Sequence, residues 1–146
     1  MKTILAIGLV SALTLSLQAS EAQKLFDSKC GSCHIKTRPT DRSKMVAPPI
    51  MGVLRHVKMT YPTKEKAVSF IKDYVFNPSK DKAVCMPQRI AKFGLMPSQK
   101  GLVTKAEVEK IASWLYDNFP PKGFRGMMER GMGMRRGMMG KGMNRP

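Results

Sequence analysis

Apolar residues recur at helical spacing in the first half of the chain. Between residues 21 and 29 they fall at positions i, i+3 and i+4, which predicts a short helix with one apolar face (Ala22, Leu25 and Phe26). A second helix is predicted over 63–76, because Thr63 can cap its start and Asn77-Pro78 interrupts it. Its apolar face consists of Val68, Ile71, Tyr74 and Val75.

The clearest helix signal lies further along the chain. Thr104-Lys105-Ala106-Glu107 has the sequence of a capping box, and Pro120-Pro121 marks the end of the helix that it opens. The apolar residues between them recur at i, i+3, i+4 and i+7 (Val108, Ile111, Ala112 and Leu115). Residues 35–62 are rich in Pro, Gly and charge and are predicted to be a loop. No segment has a strand pattern, so we expect an all-α protein with three to four short helices.

The two ends of the chain differ from its middle in composition. Lys2 precedes an almost continuous apolar run over residues 4–17, followed by small residues, which is typical of a secretory signal peptide over residues 1–20. We therefore expect export to the periplasm; the alternative is an uncleaved anchor, for which the run is short. Residues 122–146 are mostly Gly, Met, Arg and Lys and are predicted to be a disordered tail. Residues 21–121 are then one small domain.

Residues 30–34 carry the candidate chemistry. Cys30-Gly31-Ser32-Cys33-His34 is a C-x-x-C-H haem c attachment motif. The thiols of Cys30 and Cys33 can add to the two vinyl groups of one haem, and the adjacent His34 is then placed to bind its iron. The alternatives are a thioredoxin-like redox pair, which is typical of a βαβ context not found here, and half of a zinc site. Zinc would need further ligands at matching spacing, and only Cys85 and His56 remain.

The sequence leaves several choices for the second iron ligand. Met96 lies in Phe93-Gly94-Leu95-Met96-Pro97, directly before the capped helix, where Gly94 would let the backbone approach the ring and Pro97 would stiffen the segment. Met86, His56 and an open site are the alternatives, and Met96 is the residue we predict. The odd cysteine, Cys85, is either a small buried apolar residue or a reactive thiol.

With these features the chain resembles class I c-type cytochromes, which are small monohaem electron carriers. The resemblance covers roughly residues 22–119 and rests on the attachment motif, on Ala47-Pro48-Pro49-Ile50-Met51-Gly52 and on the segment around Met96. It implies a cytochrome c-like fold wrapped around one covalently bound haem c. Cys30 and Cys33 would form the thioethers, His34 would be the proximal iron ligand and Met96 the distal ligand.

Two further contacts are implied by the resemblance. A proline carbonyl, that of Pro48 or Pro49, would orient the imidazole of His34. The first and last helices would cross, so that Leu25 or Phe26 would meet Ile111 or Leu115.

Charge and ligand set together predict the function. A haem with both axial positions filled suits one-electron transfer rather than catalysis, whereas an open or labile site would suit a peroxidase or a small-ligand sensor. The net charge of +16 favours redox partners with acidic surfaces, or anionic membrane surfaces, met by electrostatic steering. Nucleic acid is a poor partner, because the basic residues are not interleaved with aromatic ones.

The tail offers a separate hypothesis. Seven methionines lie in it: Met127, Met128, Met132, Met134, Met138, Met139 and Met143. Their thioethers are soft ligands suited to Cu(I), although the surrounding Arg and Lys residues repel a cation. The simpler interpretation is a solvated polycationic tail that improves contact with acidic surfaces.

Overall fold

The computed structural model describes residue 19 and residues 21–124. The described part contains five helices and no strand, so the prediction of an all-α fold is confirmed. Apart from residue 19, the predicted signal peptide lies outside the described residues, as does the predicted tail beyond residue 124. No helix in the described part is both long enough and apolar enough to cross a membrane.

The helices are α1 (residues 21–29), α2 (Ile50–Thr60), α3 (Lys64–Phe76), α4 (Pro87–Phe93) and α5 (Lys105–Asn118). The three helices predicted from periodicity correspond to α1, α3 and α5. Thr63 caps α3 by accepting a hydrogen bond from the backbone N–H of Lys66, and Thr104 and Glu107 form both bonds of the capping box at α5. The predicted starts of α3 and α5 are therefore confirmed.

The prediction that residues 35–62 form only a loop is wrong for its second half, which is α2. Pro49 is the N-cap of this helix, and its carbonyl accepts bonds from the N–H groups of Gly52 and Val53. Proline at a helix start costs no hydrogen bond, so the Pro48-Pro49 pair marks a beginning rather than an interruption. The buried Ile50, Leu54 and Val57 recur at helical spacing and pack inward, which outweighs the local effect of Gly52.

The main core joins α1, α2 and α5. Its buried cluster consists of Ala22, Phe26, Ile50, Leu54, Ile111, Trp114 and Leu115. The Phe26 and Trp114 rings lie 5.7 Å apart between centroids, a distance at which aromatic pairs add to the gain from burial. Phe26 thus shares a cluster with Ile111 and Leu115, and the contact implied for the first and last helices is confirmed.

Helices α3 and α4 contribute no member to this buried cluster, although Ile71 of α3 packs against it. Helix α3 packs along α5, and ion pairs from Lys64 to Asp117 and from Lys72 to Glu109 join their exposed edges. Helix α4 has no buried residue and was not predicted as a separate element. Residues of all five helices line the space described next.

Candidate functional site: a cavity beside the cysteine motif

The motif forms a tight turn at the end of α1. The N–H groups of Cys30 and Gly31 both donate to the carbonyl of Phe26, at 2.8 and 2.9 Å, and the N–H of His34 donates to the carbonyl of Cys30 at 2.9 Å. A Cβ at Gly31 would lie 2.6 Å from the backbone oxygen of Asp27. A side chain at this position would therefore force the turn or the last turn of the helix to shift.

Two hydrogen bonds close the loop after the motif. The N–H of Ile50 donates to the carbonyl of Ile35 at 3.0 Å, which brings the start of α2 back beside the motif. The Nδ1–H of His34 donates to the carbonyl of Pro48 at 2.9 Å. Of the two prolines that the resemblance offered for this contact, Pro48 makes it.

This contact sets the tautomer of His34. A carbonyl only accepts hydrogen bonds, so Nδ1 carries the proton and the lone pair of the neutral ring lies on Nε2. Burial lowers the pKa of His34, and the bond to Pro48 opposes that effect only in part. The ring is thus held neutral with Nε2 available, which is the form of imidazole that binds a metal.

A cavity of about 220 Å³ lies beside this turn, lined almost entirely by apolar side chains. Its walls include Cys30, Cys33, His34 and Met96, so the structure brings the four predicted site residues to one space. Protein interiors are normally packed as densely as organic crystals. A concave apolar space with a few polar groups is typical of a site for a bulky ligand.

The environment of Cys30 argues against a thioredoxin-like redox pair. Burial, together with the nearby Cys33, raises the pKa of Cys30 to about 11. The residue also follows the C-terminal end of α1, whereas reactive thiols of redox pairs have lowered pKa values, commonly at helix N-termini. Cys30 therefore stays a protonated thiol at neutral pH.

The segment that carries Met96 is fixed at both ends. Gly94 caps α4 with a φ of 75°, a left-handed conformation that glycine adopts without strain. Gly94 also lines the cavity, and the approach of its backbone to a haem ring stays a prediction. After Met96, the hydroxyl of Ser98 donates to the carbonyl of Phe76 at 2.7 Å, and the N–H of Gln99 donates to that of Val75 at 3.0 Å.

The other candidates for the second iron ligand do not line the cavity. Met86 is the N-cap of α4, and neither it nor His56 is among the residues that line the cavity. Cys85 does line the cavity and is half-buried, and burial raises its pKa, so it is a protonated, weakly polar side chain. Within the described residues, no three His, Cys, Asp or Glu side chains gather where they could hold a metal ion.

Sequence reasoning missed two parts of the cavity wall. Helix α2 contributes Ile50, Val53, Leu54 and Val57, and the i, i+4, i+7 spacing of Ile50, Leu54 and Val57 was the signal that could have found it. Arg89 of α4 was not singled out either, and nothing in the sequence distinguishes it from the other arginines.

The fold and site define an all-α protein with a Cys-Gly-Ser-Cys-His turn opening into an apolar cavity. The chain is 33% identical over 109 residues to an uncharacterized protein of Aquifex aeolicus (strain VF5), an alignment that covers 66% of this chain and 72% of that protein. The chain belongs to the same family as that protein. No family model matches the chain, and no solved structure matches it.

Proposed function

We propose that the protein is an exported monohaem c-type cytochrome that carries single electrons between redox partners. The observation that carries this proposal is the meeting of the C-x-x-C-H turn, the Pro48-oriented His34 and Met96 around one apolar cavity. A haem bound there would supply an iron that gains and loses one electron. The apolar walls suit the face of a porphyrin, and the group would also complete the core of a small domain.

Each site residue has a defined task in this proposal. The thiols of Cys30 and Cys33 add across the two vinyl groups, so each S–H becomes a thioether C–S bond and a C–H bond. His34 binds the iron through Nε2, and its bond to Pro48 keeps the ring in one orientation and one tautomer. Met96 would be the second ligand of the iron through its thioether, a ligand that favours the reduced iron and raises the reduction potential.

The mouth of the cavity supports a role in electron transfer rather than catalysis. Cys33 is exposed, and Val46, which lines the cavity next to it, is 63% exposed. The space therefore reaches the surface beside the motif, where a partner can approach within electron-transfer distance. With His34 and Met96 both bound to iron, no position is left for a substrate, so the protein acts as a carrier and not as an enzyme.

The basic surface and the sequence of the N-terminus support the partner class and the location. The positive net charge favours acidic partner surfaces, and the pattern of residues 1–20 favours periplasmic export. The methionines proposed for Cu(I) lie outside the described residues, and copper binding stays a prediction from the sequence.

The test is to express the full-length precursor in a host that matures c-type cytochromes and to purify the exported protein. We expect haem that acid-acetone does not extract, a weak red-end absorption band of the oxidised form that marks sulfur bound to iron, and a reversible one-electron titration. Extractable haem, or none, would contradict the proposal. Covalent haem without the sulfur band, together with binding of small ligands, would favour the peroxidase or sensor alternative.

A further inference from the structure

The cavity contains an uncompensated positive charge. Of the residues that line it, only Lys29 and Arg89 carry a formal charge at neutral pH, and no Asp or Glu does. The ammonium of Lys29 donates a hydrogen bond to the carbonyl of Leu102 at 3.2 Å in an exposed position. Lys29 is therefore both solvated and partnered, and Arg89 is left as the charge that the cavity wall itself must accommodate.

Arg89 is half-buried on α4, and its side chain makes no hydrogen bond or ion pair with any described residue. Its positive charge reaches the neighbouring side chains. Burial lowers the pKa of His56, and the charges of Arg55 and Arg89 lower it further. Burial raises the pKa of Cys85, and Arg89 partly offsets that rise. Every charged group of α2 near Arg89 is thus basic, and Cys85 and the adjacent Tyr74 are neutral.

A half-buried guanidinium without an anionic partner destabilises the folded protein, because it has lost part of its hydration and no hydrogen bond replaces it. Arg binds a carboxylate with two parallel N–H···O bonds, which are among the strongest hydrogen bonds in proteins. An anionic group entering the cavity would therefore find one preferred partner on this wall.

We propose that Arg89 binds one of the two propionate carboxylates of the haem and so holds the polar edge of the ring at the wall formed by α4. This inference rests on the proposed function, since it needs a haem in that space. It assigns to α4, a helix with no buried residue, the task of recognising the polar edge of an otherwise apolar ligand.

The test uses holoprotein whose haem carries ¹³C at the two carboxylates, so that NMR follows the titration of each carboxylate separately. In the wild type we expect one carboxyl pKa to lie below the other, because an opposite charge in contact lowers a carboxyl pKa by about 1–3 units. Arg89→Gln should raise that value by at least about one unit, and Arg89→Lys should restore part of the difference. Lys92→Gln removes the same charge from an exposed position of the same helix and should leave both carboxylates unchanged.

The outcomes separate this inference from the proposed function. A protein that carries no covalent haem contradicts the function itself. Covalent haem whose carboxylates respond equally to Arg89→Gln and Lys92→Gln overturns the role of Arg89 and leaves the function standing. If Arg89→Gln gives no folded holoprotein, the wild type and Arg89→Lys decide: two carboxylates that titrate together at ordinary pKa values in both proteins overturn the inference.

Discussion

The two sides of the cavity are built differently. The motif wall, residues 30–49, is held by two close contacts: a Cβ at position 31 would lie too near the backbone of Asp27, and the imidazole of His34 is hydrogen-bonded to the carbonyl of Pro48. The methionine wall, residues 84–97, contains the short helix α4 with no buried residue. Its fixed points are Gly94 before Met96 and the hydrogen bonds of Ser98 and Gln99 after it.

The two walls should therefore differ in how well they tolerate substitution. A substitution in the motif wall alters a turn that packs against the buried Phe26 and Ile50. Both haem attachment and the stability of the fold should therefore decrease. A substitution in the methionine wall should change the ligand of the iron while the core of α1, α2 and α5 persists.

The largest effect is expected from the double substitution Cys30→Ala and Cys33→Ala. Each thiol has one vinyl partner, so we expect no haem to remain on the polypeptide after acid-acetone extraction. Cys85→Ala, which removes the third thiol of the same cavity, is the matched control and should keep covalent haem. Retention of all haem by the double variant would show that the attachment assignment is wrong.

Among additions of a single methyl group to the motif wall, Gly31→Ala should destabilise the protein most. The new Cβ would lie 2.6 Å from the backbone oxygen of Asp27, so the turn must shift, and we expect a loss of about 1–3 kcal/mol in the free energy of unfolding. The yield of holoprotein should fall with it, because Cys33 and His34 move with the turn.

Gly52→Ala is the control for that experiment. A Cβ there meets no atom within 4 Å, and alanine is the better helix former, so we expect no loss and a gain of up to about 1 kcal/mol. Denaturant unfolding of both variants measures the difference. Equal stabilities would contradict the steric account of the motif turn.

Much of this architecture follows from local signals in the sequence. The apolar spacing of α1, α3 and α5, the Thr63 cap and the Thr104–Glu107 capping box each depend on neighbouring residues, and these three helices were predicted from them. Helix α2 was missed because Pro48-Pro49 and Gly52 weigh against a helix locally, whereas its stability comes from packing with α1 and α5. Tertiary contacts of this kind outweigh propensity.

The residues that only line the cavity were harder to predict than the candidate site residues. The sequence favoured Met96 over Met86 because of the helix that follows it, and the structure places only Met96 at the cavity. Arg89 could not be chosen in advance, because only the fold places this residue of α4 in the cavity wall. The candidate site residues are marked by their neighbours along the chain, while the residues that only line the cavity are brought together by the fold.

Met96→Leu tests the methionine wall. Leucine has a similar volume, so we expect a stability loss below about 1.5 kcal/mol and haem that stays attached. The sulfur band should disappear, the reduction potential should fall, and small ligands should bind at the freed position. Met86→Leu is the matched control and should keep the spectrum of the wild type. Loss of the band in Met86→Leu alone would transfer the ligand role to Met86.

The smallest effect on the site is expected from removing residues 125–146, which belong to neither wall. The deletion takes away six basic residues and one acidic residue, and the sequence of this segment has no pattern able to build a core. The spectrum, the potential and the unfolding transition should therefore match those of the full chain. Electron exchange with an acidic partner should slow at low salt, and the difference should shrink as ionic strength rises, because charges more than about 8 Å apart are largely screened at physiological salt.

A salt series of electron-transfer rates for the full-length and shortened proteins measures this effect, with a Cu(I) titration of both alongside. Equal rates at low salt would contradict electrostatic steering by the tail. Tight copper binding that disappears with the tail would instead support its methionines as ligands, since thioethers suit Cu(I). An altered haem spectrum in the shortened protein would show that residues 125–146 contribute to one of the two walls.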